Sequence, residues 1–412
     1  MIHIRRGAIA ALLALTLPLP LASAGSASAT DPDAASTPSR NTPARALSLS
    51  LSLPRPTGPY AIGRDRLPLV DRGREDPWEP SAHGRELMVS LYYPARTGTG
   101  RPAPYMTEAE ATTFLERQRQ AGQLPPQAGR FPPEVLSSTR THARTGALPA
   151  AGRHPLVVLS PGFGLNRATL TVLAEELTSR GNVVALVDHA YEADAAFPGG
   201  RTLSCTACAK LDAMTSPDAG AAFMADVARN RAKDISFLLD RILPGHRHPA
   251  WKRSGLIDPK RVGMAGHSIG GAATATAMAG DTRIRAGANL DGTVAAPIPE
   301  HGLNGRPFLL FGNQATGRPG TDETWDTTWS RLDGWKRWLT VTGATHLTFT
   351  DLPALAQQAG LPTPPGTVPG LRGSDLTRSY VGAFFDQQLR GTPQPLLNGP
   401  VPGNPEVTFQ TP

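Results

Sequence analysis

Residues 261–271 read RVGMAGHSIGG, a short apolar run, a serine enclosed by glycines, and then more small residues. The apolar run predicts a buried strand, and the following GAATATAM (271–278) predicts a helix of small side chains. Between them Gly266-His267-Ser268-Ile269-Gly270 matches G-x-S-x-G, the turn in which a nucleophilic serine projects from the end of a strand at the start of a helix. Small residues suit that turn because it is tight and strained. An ordinary serine in a glycine-rich turn is the bland alternative, and the flanking strand and helix argue against it.

Outward from this stretch the chain alternates strands and helices. HPLVVLSPG (154–162), NVVALVDHA (182–190), IRAGANLDG (284–292) and RPFLLFGN (306–313) are short apolar runs, and WKRWLTVTGATHLTF (335–349) is a last strand with its loop. The helices between them are expected at NRATLTVLAEELTSRG (166–181), ended by a glycine, and at 223–243, with SDLTRSYVGAFFDQQLRG (374–391) closing the fold. Strands apolar on both faces need burial on both faces, which a parallel sheet covered by helices supplies. The expected class is therefore α/β, a doubly wound domain with a mostly parallel central sheet and helices on both faces, and the G-x-S-x-G turn between strand and helix points within that class to an α/β-hydrolase fold. No internal repeat is present.

Upstream, structure is expected to begin near ELMVSLYYP (86–94), with an insertion at about 101–150 that contains the helix EAEATTFLERQRQ (108–120). Such an insertion either covers a pocket or is a surface excursion. Residues 1–29 carry Arg5 and Arg6, an apolar stretch broken by Pro18 and Pro20, and an A-x-A site at Ala27-Ser28-Ala29 or Ala22-Ser23-Ala24, the pattern of a signal peptide. Residues 30–59, rich in Ala, Ser, Thr and Pro, are expected to be a flexible lead-in, and 60–412 a single domain. The mature protein is thus expected to be secreted.

The whole 412-residue chain carries a net charge of +7; loss of residues 1–29 removes two arginines and no acid, leaving 39 basic against 34 acidic residues, or +5. The basic residues are scattered, which gives nucleic-acid binding little support. Gly 42 and Pro 41 make up about a fifth of the chain and imply long loops. The two cysteines, Cys205 and Cys208 in SCTAC, read as a local disulfide staple in an exported chain. A redox-active CxxC lacks its strand and helix context, and a zinc site lacks further ligands nearby.

A nucleophile at Ser268 needs a base, an acid and oxyanion donors. His267 adjoins the serine, but neighbours in a sharp turn point apart, so it is expected to support the loop. His346, in the loop after the last strand, is the expected base, in preference to His83, His142, His246, His248 and His301. Asp291 ends the strand after the nucleophile helix; Asp322, Glu323 and Asp326 follow a later strand, and local sequence favours Asp291 only narrowly. The backbone N–H groups of Ile269 and, from SPGFG, Phe163 are the expected oxyanion donors. His189 and Tyr191 end a strand on the same side of the sheet, and Trp325, Trp329, Trp335 and Trp338 either edge a substrate entrance or, as suits most of them better, pack the core.

Over residues 83–350 the chain resembles the plasma or type II platelet-activating factor acetylhydrolase family of α/β hydrolases. LVVLSPGFG, GHSIGG, NLDG and GATHLTFTD carry the resemblance, with Pro161 standing where the family commonly has histidine. The resemblance implies Ser268, Asp291 and His346 as catalytic residues, Phe163 and Ile269 as oxyanion donors, and no cofactor or metal. The implied activity is hydrolysis of short or oxidised sn-2 acyl esters of phospholipids through an acyl-serine. A lipid or small ester is the expected substrate, and peripheral contact with lipid surfaces is compatible with it. The alternatives are a broad carboxylesterase, lipase or cutinase-like polyester hydrolase, and a secreted binding protein without turnover.

Overall fold

The structure is a computed structural model and describes residues 49–412 apart from 125, 126, 129, 130, 246 and 247. The signal sequence expected at 1–29 lies outside the described residues. The chain runs β1 (Ala61–Asp71), β2 (Arg85–Ala95), β3 (Arg101–Pro104), α1 (Glu108–Gln120), α2 (Glu134–Ser137), β4 (Arg140–Thr145) and β5 (His154–Ser160). It continues through α3 (Thr171–Ser179), β6 (Val183–His189), the small hairpin β7 (Ala195–Phe197) and β8 (Arg201–Leu203), α4 (Thr206–Asp212) and α5 (Pro217–Ile242). Then come β9 (Ile257–His267), α6 (Ile269–Gly280), β10 (Ile284–Leu290), β11 (Phe308–Asn313), α7 (Glu323–Arg331), β12 (Lys336–Val341), α8 (Leu352–Gln358), α9 (Gly370–Arg390) and β13 (Val407–Phe409).

Among the described residues eleven strands form one sheet in the order β13-β12-β11-β10-β9-β5-β6-β2-β1-β4-β3. The run from β6 to β12 is parallel throughout, and β2 and β13 pair antiparallel at its two ends. Alternate residues of each parallel strand enter opposite cores, as the two-residue strand period requires. Leu156 and Val158 pack with Ile235, Leu238 and Leu239 of α5 and Ala273 and Met278 of α6. Val157 and Leu159 pack with Leu173 and Leu177 of α3 and Tyr380, Phe384 and Phe385 of α9. The uninterrupted apolar runs thus follow from burial on both sides, and the fold is the expected one, a largely parallel sheet flanked by helices on both faces.

Four expectations differ from the structure. Order does not begin at residue 86: β1 precedes it, paired along its whole length with β2 from Ala61↔Ala95 to Asp71↔Arg85, and its charges find distant partners such as Trp251 and Arg253 for Asp65. The segment expected to be flexible is, from residue 50 onward, held against the domain, with Leu51 and Leu53 buried and Leu53 N–H bonded to the Arg140 carbonyl. The insertion is not a free excursion, because β4 pairs with β1 and β3 with β4, extending the sheet at the edge remote from β9 and β10. Helix α5 also starts earlier than 223, at Pro217 behind an Ser216 cap, because Pro and the small residues after it fit a first turn.

Candidate active site

Ser268 stands between β9 and α6 with φ 56° and ψ −126°, a left-handed conformation that costs a non-glycine residue energy and is held by its surroundings. Its N–H donates to the Leu290 carbonyl at 2.8 Å, tying the turn to the end of β10. Glycine is required at two flanking places. A Cβ on Gly270 would lie 2.0 Å from the Ser160 carbonyl oxygen, and one on Gly266 would lie 2.2 Å from the Gly270 carbonyl carbon. The G-x-S-x-G spacing therefore lets β9, the start of α6 and the end of β5 touch backbone to backbone.

Asp291, also at positive φ (60°), follows β10 directly. One of its carboxylate oxygens lies 2.7 Å from His346 Nδ1. An ionised carboxylate only accepts, so Nδ1 carries the hydrogen and Nε2 keeps its lone pair. Nε2 has no hydrogen-bond partner among the described residues, and the imidazole is 46% exposed. Asn313, at the end of β11, orients the carboxylate: its backbone N–H donates to Asp291 at 2.7 Å and its side-chain amide to both oxygens at 2.8 Å. The Asn313 amide cannot turn round without loss, because its oxygen accepts from the Ala315 and Thr316 N–H groups. Asn313 escaped the reading of the sequence, where it was only the polar residue ending an apolar strand.

His267 takes a supporting place. Its ring lies 4.6 Å from that of His346, and its Nε2–H donates to the His346 carbonyl at 2.7 Å. Burial, with His346 beside it, pushes its pKa well below the usual histidine value, so it is neutral. Of the other acids, Asp322 caps α7 through the Thr324 N–H and binds Thr293, and Asp326 accepts the Gly320 N–H. His83, His142, His248 and His301 are exposed elsewhere, and His246 lies outside the described residues.

The start of α6 meets the loop after β5. Besides Ser160, Gly270 faces the Pro161 carbonyl, and a Cβ on Gly162 would lie 2.8 Å from His267 Nδ1. Among the described residues neither the Phe163 nor the Ile269 N–H has a protein acceptor, and Ile269 opens α6, where the helix dipole is positive. Ser268 Oγ makes no hydrogen bond among the described residues. Beside Ile269 lies an apolar cluster in which Trp78 and Phe223 are buried and Phe163, Tyr191, Met224 and Ala295 are partly open. The Cys205–Cys208 disulfide is present and borders this loop, with Cys208 Sγ 3.7 Å from where a Gly164 Cβ would sit. The tryptophans form no entrance: Trp325 and Trp338 are buried and meet edge to face with ring centres 5.6 Å apart, and Trp329 and Trp335 pack against the two cores.

A model of the family described as platelet-activating factor acetylhydrolase, isoform II, matches residues 46–197 and 250–359, ranges that contain Phe163, Ser268, Asp291, Asn313 and His346. The chain belongs to that family. A probable 1-alkyl-2-acetylglycerophosphocholine esterase from Arthroderma benhamiae is 28% identical over 86% of this chain and 93% of its own. A platelet-activating factor acetylhydrolase from Cavia porcellus is 23% identical over 58% of this chain and 55% of its own. Among solved structures, a ferulic acid esterase from Streptomyces cinnamoneus is 43% identical with a TM-score of 0.75, covering 88% of this chain and 100% of that one. Membership of the acetylhydrolase family and these likenesses make the chain a carboxylic-ester hydrolase of the α/β-hydrolase superfamily.

Proposed function

We propose that the chain is a broad-specificity serine carboxylesterase acting on small soluble esters, aryl and short-acyl esters among them. Ser268 Oγ attacks the ester carbonyl while His346 Nε2 takes its proton, and the Asp291 carboxylate holds Nδ1–H and balances the imidazolium. The carbonyl oxygen, negative in the tetrahedral intermediate, is received by the Phe163 and Ile269 N–H groups. His346 passes the proton to the leaving alkoxide, and water then releases the acid from the acyl-serine by the same steps.

The observation that carries this reading is the Asp291–His346 pair at 2.7 Å, with a half-exposed imidazole whose Nε2 is open and whose ring lies 4.6 Å from that of His267, the neighbour of a strained serine. That exposure favours esters that reach the site from bulk water. The 43% identity to a ferulic acid esterase over the length of that protein supports the same class, and the partly open aromatic cluster beside Ile269 suits an aryl or short acyl group. A second reading, a short sn-2 acyl phospholipid, is favoured by the family and by the names of the curated relatives. Secretion is proposed from the leader at residues 1–29 together with the disulfide.

The test compares purified protein on p-nitrophenyl esters of increasing acyl length, methyl ferulate and a short sn-2 phosphatidylcholine. Turnover of the aryl and short-acyl esters above the phospholipid, abolished in Ser268→Ala, is the expected result. Phospholipid turnover well above every soluble ester would favour the second reading.

A further inference from the structure

Behind the loop that carries Phe163 lies a buried network of three guanidiniums and three carboxylates. Arg231, on α5, donates through Nε to Glu192 at 2.6 Å and through Nη1 to Ser160 Oγ at 3.1 Å and to the Pro161 carbonyl. Glu192 also accepts from Arg85 at 2.7 Å and from the Trp78 indole at 2.9 Å, and its backbone carbonyl accepts the Gly164 N–H at 2.9 Å. Arg85 continues to Asp76 at 3.0 Å and Asp234 at 2.8 Å, and Arg74 closes on Asp234.

One series in it, Ser160–His189–Asp234 with contacts of 3.0 and 2.7 Å, repeats the order of a hydrolase triad. It is closed to substrate, since all three residues are at most 2% exposed. Burial and the Arg231 charge lower the His189 pKa, so the ring is neutral. With Nδ1–H on Asp234, its Nε2 accepts the Ser160 proton, which leaves the Ser160 oxygen free to accept from Arg231. The series thus orders protons around a guanidinium.

That guanidinium acts on the loop. Three polar groups between Pro161 and Gly164 are pinned: the Pro161 carbonyl by Arg231, the Gly162 carbonyl by the Leu165 N–H at 3.3 Å, and the Gly164 N–H by Glu192. In a trans peptide the N–H points opposite to the carbonyl, so holding the Gly162 carbonyl directs the Phe163 N–H to the other side. Two glycines, one at φ 72°, give this loop little stiffness of its own.

We propose that Arg231 and Glu192 are positioning residues for ester hydrolysis, clamping the loop at Pro161 and Gly164 so that the Phe163 N–H faces the developing oxyanion. The inference rests on the esterase reading above. Neither side chain touches the substrate: the Arg231 guanidinium holds the Pro161 carbonyl directly, the Glu192 carboxylate acts by orienting that guanidinium, and Gly164 is held by the Glu192 main-chain carbonyl.

Arg231→Lys retains the buried charge but cannot serve Glu192, Ser160 and Pro161 in one geometry. With p-nitrophenyl acetate, and active sites counted by fluorophosphonate titration, kcat is expected to fall about 100-fold, as when one oxyanion donor is lost, with KM within threefold. Inhibition by phenylboronic acid, whose tetrahedral adduct places an oxygen between the same donors, should weaken by a similar factor. The pH midpoint of kcat/KM should stay in place, because the Asp291–His346 pair is untouched. Glu192→Gln should show the same pattern at about tenfold and decides alone if the lysine variant does not fold. Arg74→Gln, at the far end of the network, should lower the melting temperature without this signature. Folded Arg231 and Glu192 variants with kcat and boronate affinity within threefold of the parent would overturn the clamp. A parent with no esterase activity would instead overturn the reading on which it rests.

Discussion

Asn313 distinguishes Asp291, the proposed catalytic acid, from an aspartate that merely ends a strand. By sequence Asp291 competed with Asp322, Glu323 and Asp326, and only the resemblance favoured it clearly; the structure gives Asp291 the imidazole, Asp322 a helix cap and Asp326 a turn, and leaves Glu323 exposed on α7. Asn313→Ala removes the side-chain donors to both carboxylate oxygens and leaves the backbone one. Charge-assisted hydrogen bonds of this kind contribute about 1.5–3 kcal/mol, so kcat should fall roughly 10-fold or more with KM nearly unchanged in steady-state kinetics. Gly270→Ala tests the backbone contact beneath the serine. A methyl 2.0 Å from the Ser160 oxygen must displace β5 or α6, and urea unfolding should show a loss of at least about 3 kcal/mol. Ser268 and His346 could be singled out in the sequence because G-x-S-x-G is a local motif and His346 closes the loop after a recognisable strand, β12. Asn313, Glu192 and Arg231 were not, because their partners lie 22, 28 and 70 residues away and a single polar residue in an apolar run carries no sign of what it will face.

At the scale of elements, the parallel strands were readable and the flanking ones were not, for one physical reason. β5, β6, β10 and β11 declare themselves by apolar residues on both faces, whereas β1, AIGRDRLPLVD, gains its burial only when Arg64 lies over Tyr92 and Arg66 pairs with Glu110 of α1. The three-residue β13 is likewise defined by its partner β12. The join between α3 and β4 makes a pH prediction. Glu175 of α3 accepts the His142 and Ala143 N–H groups, and burial, only partly offset by those bonds and by Arg64, pushes its carboxyl up to about 7. Its usual value is near 4.5, so between about pH 4.5 and 7 the folded chain holds a proton that the unfolded chain has released. The contribution to stability is therefore lost as pH rises through that window, by up to about 3 kcal/mol. Asp351, buried nearby and also raised, acts in the same direction, so the comparison must isolate Glu175. Urea unfolding at pH 5 and pH 8 should show a smaller drop in Glu175→Gln than in the parent; equal drops would mean that this carboxyl is ionised throughout.

Over the whole molecule, the proline-rich tail belongs to the domain that holds the site. After α9 the chain buries Leu397 and Val407, bonds Gln410 N–H to the Trp338 carbonyl at 2.8 Å, and pairs Glu406 with Arg372. Truncation after Gly391 uncovers the edge of β12, the neighbour of the strand that ends at Asn313. Loss of two buried aliphatic side chains, each contributing about 1.5–3 kcal/mol, should lower the melting temperature in calorimetry by at least about 5 °C. The proposed site draws its oxyanion loop from β5, its serine from β9, its acid from β10 and its histidine from β12, parallel strands whose carboxyl ends lie at one end of the sheet. Reaction with a fluorophosphonate followed by crystallography of the adduct tests that convergence most directly. The account predicts phosphorus bonded to Ser268 Oγ, its free oxygen about 3 Å from the N–H groups of Phe163 and Ile269, and His346 Nε2 within hydrogen-bond reach of the adduct. Phosphorus on another residue, or an adduct oxygen turned to solvent away from both amides, would contradict it.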